Sequence, residues 1–242
     1  MLQFLIFSFF FVSSKAQATQ LRIFSIDFPP YTYQTPNGGS GVMFEIVQEL
    51  AKRVGQTAQV EFMPWARARV ETEKISNGGI FPLARTTERE KNYSWIAHIL
   101  DDPYVFFSMK SSKVNISSVA AAKKYRIGIL KGSVSELELK KLGFSKVESV
   151  ANDLQNVLKL KQGHIDAWVA PLSSKDQYKE KAEISAHELK IGAELLILHE
   201  YLGASNSLDV QTIQKWQKAF TSMKNDGSYA AIMKKYGFTP LQ

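Results

Sequence analysis

Hydrophobic positions along the chain follow two periods that take turns. Leu21–Ile26 is a short β-rich run, and Pro29-Pro30 and Pro36-Asn37-Gly38-Gly39 then mark a loop. From Val42 to Val54 the apolar residues Val42, Ile46, Leu50 and Val54, with Met43, Val47 and Ala51 beside them, fall at helical spacing, and Gly55 ends the run. Ala58–Phe62 predicts a strand and Ala66–Ile75 a helix closed by Asn77-Gly78-Gly79. Ile80–Leu83 and Tyr104–Met109 predict further strands. The pattern then restarts. Strands are predicted at Tyr125–Leu130, Lys146–Val150, Ile165–Val169 and Leu195–Leu198, and helices at Ser133–Leu142 and Asn152–Lys161. Two helices, Val210–Lys224 and Ser228–Lys235, close the chain around Asn225-Asp226-Gly227. Alternating β and α units imply an α/β fold with parallel sheets covered by helices. Two such sets joined by the strand around Tyr104–Met109 imply two lobes, with the terminal helices packed back on the first. Facing lobes would make a cleft at the carboxyl ends of their strands, the usual place for a small-molecule site.

The first residues do not fit that alternation. Phe4 to Val12 is a continuous apolar run, too short for the about 20 residues that span a bilayer, and Ala16-Gln17-Ala18 follows it. An apolar core followed by A-x-A has the form of a secretory signal, so residues 1–18 are expected to be removed on export to the periplasm. No Lys or Arg precedes the core, so only the terminal amine supplies positive charge. No later stretch of the sequence is long and apolar enough to span.

Composition narrows the classes further. Among 242 residues, 45% are hydrophobic and 22% charged, which is ordinary for a globular protein. There is no cysteine, so disulfides and thiolate metal sites are excluded, and the 4 histidines are scattered, so no metal site is expected. The formal charge of +7 does not imply nucleic acid. Lys and Glu mix along Glu136 to Lys141 and Lys175 to Glu183, which read as solvated helix faces with i,i+4 pairs. The basic excess instead suits solubility or an anionic ligand.

Six segments in order carry a resemblance. Phe28-Pro29-Pro30-Tyr31 follows the first strand, and Gly41-Val42-Met43-Phe44-Glu45-Ile46 opens the first helix. Ala84-Arg85-Thr86-Thr87-Glu88-Arg89 follows the strand Gly79-Ile80-Phe81. Arg126-Ile127-Gly128-Ile129-Leu130-Lys131-Gly132-Ser133 opens the second set. Gly163-His164-Ile165-Asp166-Ala167 and Lys224-Asn225-Asp226-Gly227-Ser228-Tyr229 complete the series. Together they resemble the family 3 periplasmic solute-binding proteins, the amino-acid-binding receptors of ABC importers. The resemblance implies a type II periplasmic binding protein fold: two α/β lobes joined by two crossover strands and closing on the ligand by a hinge. It places lobe one at residues 19–108 plus 200–242 and lobe two at 109–199. A monomer that meets an ABC permease is expected, with no cofactor.

By the same resemblance, Arg89 is the carboxylate-binding arginine. A guanidinium fork suits a carboxylate through two parallel hydrogen bonds. Thr86 as N-cap, and the capping-box form of Thr87-x-x-Glu90, would set Arg89 in a first helical turn. Gly132 and Ser133 would hold the ligand carboxylate from lobe two, Ser133 also capping the helix through Ser133-x-x-Glu136. Trp65 and Arg67 follow a strand, Arg85 adds a second cation, and Tyr31, Phe81 and Trp168 offer apolar or stacking walls. Core packing is the competing reading for each aromatic, most of all for Phe81.

One departure bears on the ligand. The family commonly has a carboxylate for the α-ammonium four residues beyond the D-A pair, and here that position is Pro171. An ordinary amino-acid ligand then requires Asp27, Glu45 or Asp176 to supply the charge. An anionic ligand with a planar or apolar body fits the remaining residues, and a cationic polyamine fits poorly. Asp166 is expected to be structural. A periplasmic sensor of the same fold is the alternative function. A cyclohexadienyl-dehydratase-like enzyme ranks lower, because the chain lacks the nucleophile, zinc and phosphate motifs and a clear carboxylate pair. Glu61 and Glu71 fit solvated faces as well as they fit an acid.

Overall fold

A computed structural model describes residues 20–241, so the apolar leader and its A-x-A lie outside the described residues. One mixed sheet runs through the molecule in the order β4-β1-β5-β10-β6-β9-β7-β8. The strands are β1 (Arg22–Ser25), β4 (Val60–Phe62), β5 (Gly78–Ala84), β6 (Tyr93–Met109), β7 (Ile127–Leu130), β8 (Val147–Val150), β9 (Ala167–Pro171) and β10 (Leu189–Ser205). β1 pairs in parallel with β4 and β5, and β7 in parallel with β8 and β9. These are the two parallel sets that the alternating pattern implied, one per lobe.

The link between the sets is larger than the sequence suggested. β6 and β10 each run 17 residues and pair antiparallel over their whole length. The second half of β6 pairs with β9, and the second half of β10 with β5. Both strands therefore serve both lobes, and they form the two crossovers of a two-lobed α/β fold. Only Tyr104–Met109 and Leu195–Leu198 were legible as strand. The missed parts carry Ser94, His98, Asp101 and Asp102 in β6 and Glu194, His199 and Glu200 in β10, which break any apolar run.

Helices cover the sheet where their apolar stripes allow. In α1 (Val42–Arg53), Val42, Met43, Ile46, Val47, Leu50 and Ala51 are all buried, Glu45 stands in the first turn, and Lys52 and Arg53 stand in the last, as the macrodipole favours. α2 (Trp65–Lys74) lies over lobe one. α3 (Val119–Ala122), α4 (Val134–Lys141), α5 (Asp153–Lys161) and α6 (Lys179–Ala182) belong to lobe two. α7 (Val210–Asn225), capped by the Asp209 carboxylate accepting from Thr212 N–H at 2.7 Å, and α8 (Ser228–Lys235) return to lobe one. There the Tyr229 hydroxyl donates to the Ile99 carbonyl at 2.8 Å. A two-stranded ribbon, β2 (Tyr33–Thr35) with β3 (Gly38–Ser40), builds the Pro36-Asn37-Gly38-Gly39 loop.

Asp166 is structural as expected. Its carboxylate accepts from the Arg126 backbone N–H at 2.8 Å and pairs with the Arg126 guanidinium, tying the start of β9 to the start of β7. The expected i,i+4 pairing along Glu136 to Lys141 is not found. Glu136 instead accepts from the Gly132 N–H, and Lys141 pairs at 2.9 Å with Glu88 of the other lobe. The segment from Lys175 is not one helix either: a 3-10 turn, Leu172–Asp176, precedes the short α6.

Candidate functional site

The lobes meet across a closed cleft. Besides the Lys141–Glu88 pair, Lys181 lies 3.6 Å from Asp27, and Ser174 Oγ donates to the Pro29 carbonyl at 3.4 Å. Inside is a small cavity of about 30 Å³, open in part to solvent. Ile26 and Phe28 after β1, Trp65 opening α2, Pro82 and Ala84 ending β5, and Arg89 line it from lobe one. Leu130, Ser133 and Val134, between β7 and α4, line it from lobe two. Tyr104, Leu198 and Glu200 come from the crossover strands. The carboxyl ends of parallel strands from both lobes thus converge on one cavity.

Arg89 brings a buried positive charge to the cavity wall. It is 5% exposed. Its Nη1 donates to the Ala84 carbonyl at 2.8 Å, while Nη2 is buried and has no partner among the described residues. The guanidinium carbon stands 5.8 Å from the centre of the Trp65 ring, within cation–π range. Burial, helped by the charge of Arg69, lowers its pKa to about 10, against the pull of Glu200, Tyr93 and Tyr104. It therefore stays cationic at neutral pH. A buried donor left unpaired costs about 1–3 kcal/mol, more for a charged group, and an anionic ligand would satisfy it.

Glu200 is the second charged group, and sequence reasoning did not find it. It is 3% exposed and accepts from the Tyr104 hydroxyl at 3.2 Å. Burial pushes its carboxyl up to about 7, opposed by Arg89 and the Tyr104 bond and reinforced by Asp102 and Asp101. Arg89 and Glu200 sense each other's charge across the cavity without forming an ion pair. The signal available in the sequence was a lone carboxylate inside the apolar run that leads from Leu195 to Leu202.

Of the residues proposed from sequence, Arg89, Trp65 and Ser133 meet in this cavity. Gly132 sits at its edge, where a Cβ would come within 3.7 Å of Ala66 from the other lobe. Its N–H is taken by Glu136 Oε2 at 2.5 Å, and the Ser133 hydroxyl oxygen accepts from Glu136 N–H at 3.1 Å. The Ser133 cap holds, and the hydroxyl proton stays available to a ligand. Arg89 does not open an α-helix. It ends a 3-10 turn, Thr87–Arg89, with no cap from the Thr86 side chain, which bonds to the Glu88 carboxylate instead. Glu90, the far end of the expected capping box, is held by Arg85 at 2.7 Å and Trp95 Nε1 at 3.1 Å.

The other proposed residues stand elsewhere. Arg85 is on the outer surface, over the rings of Trp95 and Tyr201. Arg67 lies on the exposed side of α2. Tyr31 is fully buried behind the wall, its hydroxyl donating to Asp102 at 2.9 Å, and Phe81 lies in the core. Trp168 belongs to the second core of lobe two, where its Nε1 donates to Asp153 at 2.8 Å. Asp27 pairs with Lys181, and Glu45 with Lys235; these, with exposed Asp176, are outside the cavity. Glu61 and Glu71 hold surface pairs with Arg22 and Lys74. Pro171 stands beside Tyr104 in the β6–β9 register, and β6 separates its strand from β10, which carries Glu200.

The Trp168 contact gives an expected result. Asp153 is fully buried and its carboxyl is pushed up to about 6 by burial, against hydrogen bonds from Asn156 and Trp168. Trp168→Phe removes one donor and should cost about 1–3 kcal/mol of stability in urea melts. Solute affinity should not change; a loss of affinity in the folded variant would return Trp168 to the site.

Residues 22–239 match the family described as bacterial extracellular solute-binding proteins, family 3. No curated protein matches the chain. Among solved structures, the fold is similar to a histidine kinase sensor domain with similarity to periplasmic binding proteins. That match has a TM-score of 0.85 and 13% identity, covering 93% of this chain and 99% of that one. The arginine-, lysine-, histidine-binding protein of Geobacillus stearothermophilus gives a TM-score of 0.80 at 15% identity, covering 92% and 97%. An ancestral amino-acid-binding protein, a precursor of cyclohexadienyl dehydratase, gives 0.78 at 18% identity, covering 90% and 95%.

Proposed function

The chain belongs to the bacterial extracellular solute-binding proteins of family 3, and from that we propose that it captures a small amino acid or amino-acid-like solute between its lobes. The observation that carries this reading is the pair of separated opposite charges in one buried cavity. Among the described residues Arg89 Nη2 has no partner, and Glu200 accepts only from the Tyr104 hydroxyl. A zwitterion would put its carboxylate on Arg89 and the Ser133 hydroxyl, and its ammonium on Glu200. Glu200 would replace the charge missing at Pro171. Ile26, Phe28, Trp65, Leu130 and Leu198 favour an apolar or aromatic body over a second cation.

Export to the periplasm, delivery to an ABC permease and a monomeric state complete the reading, with lobe one at 19–108 plus 200–242 and lobe two at 109–199. No helix of the described residues is long and apolar enough to cross a membrane. A sensor role is supported by the likeness to a histidine kinase sensor domain. Glu200 also favours a second reading as an enzyme, since a carboxyl poised near 7 beside an arginine can act as a general acid. Turnover of prephenate or arogenate by the purified protein would establish that one.

Thermal melts against amino acids, dicarboxylates, aromatic acids and polyamines test the binding function. A solute at 100 times its dissociation constant should add about 2.7 kcal/mol of stability. The shift is expected with apolar or aromatic α-amino acids. Shifts confined to acids lacking the amine, or to polyamines, would contradict the pairing with Glu200.

A further inference from the structure

The scattered histidines do not stay scattered. His98 and Asp101 on β6 and His199 on β10 meet on the outer face of the crossover ribbon, and we propose that they form a binding site for a divalent transition metal such as zinc or copper. His98 Nε2 lies 2.6 Å and His199 Nδ1 2.7 Å from the same oxygen, Asp101 Oδ1. All three ligand atoms are within 4.8 Å of one another.

The backbone brings them together. Residues i and i+3 of a regular strand face opposite ways, so His98 and Asp101 should not share a face. The β6–β10 register slips at this point: Glu200 faces Leu100, but Tyr201 faces His98, leaving Ile99 as an extra residue. Ile99 and Leu100 are consequently both buried, and His98 is turned to the side of Asp101. Such bulges re-aim side chains. Asp101 and His199 are direct cross-strand partners. The His98 ring is further fixed by stacking on Tyr201, with centroids 4.5 Å apart and planes 5° from parallel.

The donor set selects the ion. Two imidazole nitrogens and one carboxylate oxygen suit zinc, copper or nickel, whereas magnesium and calcium prefer oxygen alone. Zinc bonds of about 2.0–2.2 Å place tetrahedral ligand atoms roughly 3.3 Å apart. The present contacts therefore need to open by little more than half an ångström, roughly, when the ion takes the place of the hydrogen-bonding protons. Water would fill the remaining position. His199 points outward while its neighbour Glu200 points into the cavity, so a bound ion would fasten β6 to β10 directly behind the solute site.

The test is a calorimetric titration of the purified protein, carrying no polyhistidine tag, with zinc chloride in a non-chelating buffer. One equivalent should bind. Affinity should fall at least tenfold in His199→Ala and in Asp101→Asn and stay unchanged in His164→Ala, which alters an exposed histidine elsewhere. Zinc should raise the melting temperature of the parent protein and not of the first two variants. Cobalt(II) should give visible absorption bands that those variants lose. Failure of the parent to bind zinc at millimolar concentration, or binding that survives His199→Ala, would overturn the site. Neither outcome bears on solute binding in the cavity.

Discussion

Arg89→Ala should remove solute binding while leaving the protein folded. Truncating one partner of a buried, hydrogen-bonded charge pair costs about 2–5 kcal/mol, which is between roughly thirtyfold and several thousandfold in affinity. The large effect follows from position. Arg89 is buried, backed by Trp65 and anchored through Nη1 to Ala84, so its free Nη2 has one direction in which to act. Arg89→Lys should rescue little, because an ammonium cannot keep the Ala84 contact and present a second donor in the same plane. The fold should survive, since Glu200, the charge left in the cavity, can take up a proton once Arg89 no longer opposes the effect of burial. Calorimetry with the best amino acid from the melting screen reads the effect, with far-ultraviolet circular dichroism as the control. Equal affinity in the folded variant would take Arg89 out of the site.

Glu200→Gln should flatten the pH dependence of stability. The folded protein holds this carboxyl at about 7, against an ordinary 4.5, because of burial. Between those values the folded state binds more protons than the unfolded chain, so stability falls as pH rises through the window. At about 1.4 kcal/mol per pH unit the full effect is roughly 3 kcal/mol, complete above pH 7 and absent below about 4.5. Asp153 slopes the same way, so the difference between the parent and the glutamine variant isolates Glu200. Urea melts at pH 5 and pH 8 should show the variant gaining on the parent at pH 8. Solute affinity should move oppositely. The ionised carboxylate meets the ammonium, so the parent should bind more tightly at pH 8 than at pH 6, and the variant should bind weakly at both. Identical slopes in the two proteins would mean that Glu200 does not titrate in the cavity.

Much of the frame was legible in the sequence because parallel strands are buried on both faces and read as apolar runs. β5, buried at every position, and the stripe of α1 are examples. The crossover strands were only half legible. Their polar residues face a cavity on one side and an exposed cluster on the other, so Glu200, His199, His98 and Asp101 broke the pattern that identifies strands. The site followed the same rule. Arg89, Trp65 and Ser133 lie in loops or at helix starts and could be placed. Glu200 comes from a strand nearly 70 residues beyond Ser133, and no local spacing marks it. Core packing and a place in the site could not be told apart for Trp168, and core packing was already the better reading for Phe81, because an aromatic in a buried strand has the same local sequence whether it faces a core or a ligand.

A crystal structure of the protein with the amino acid that gives the largest melting shift is the most direct test of the cavity. The solute carboxylate should lie about 2.7–2.9 Å from Arg89 Nη2, a charge-assisted hydrogen bond, with its ammonium on Glu200. A solute bound outside the cavity, or one bound inside it that leaves Nη2 without a partner, would contradict the assignment.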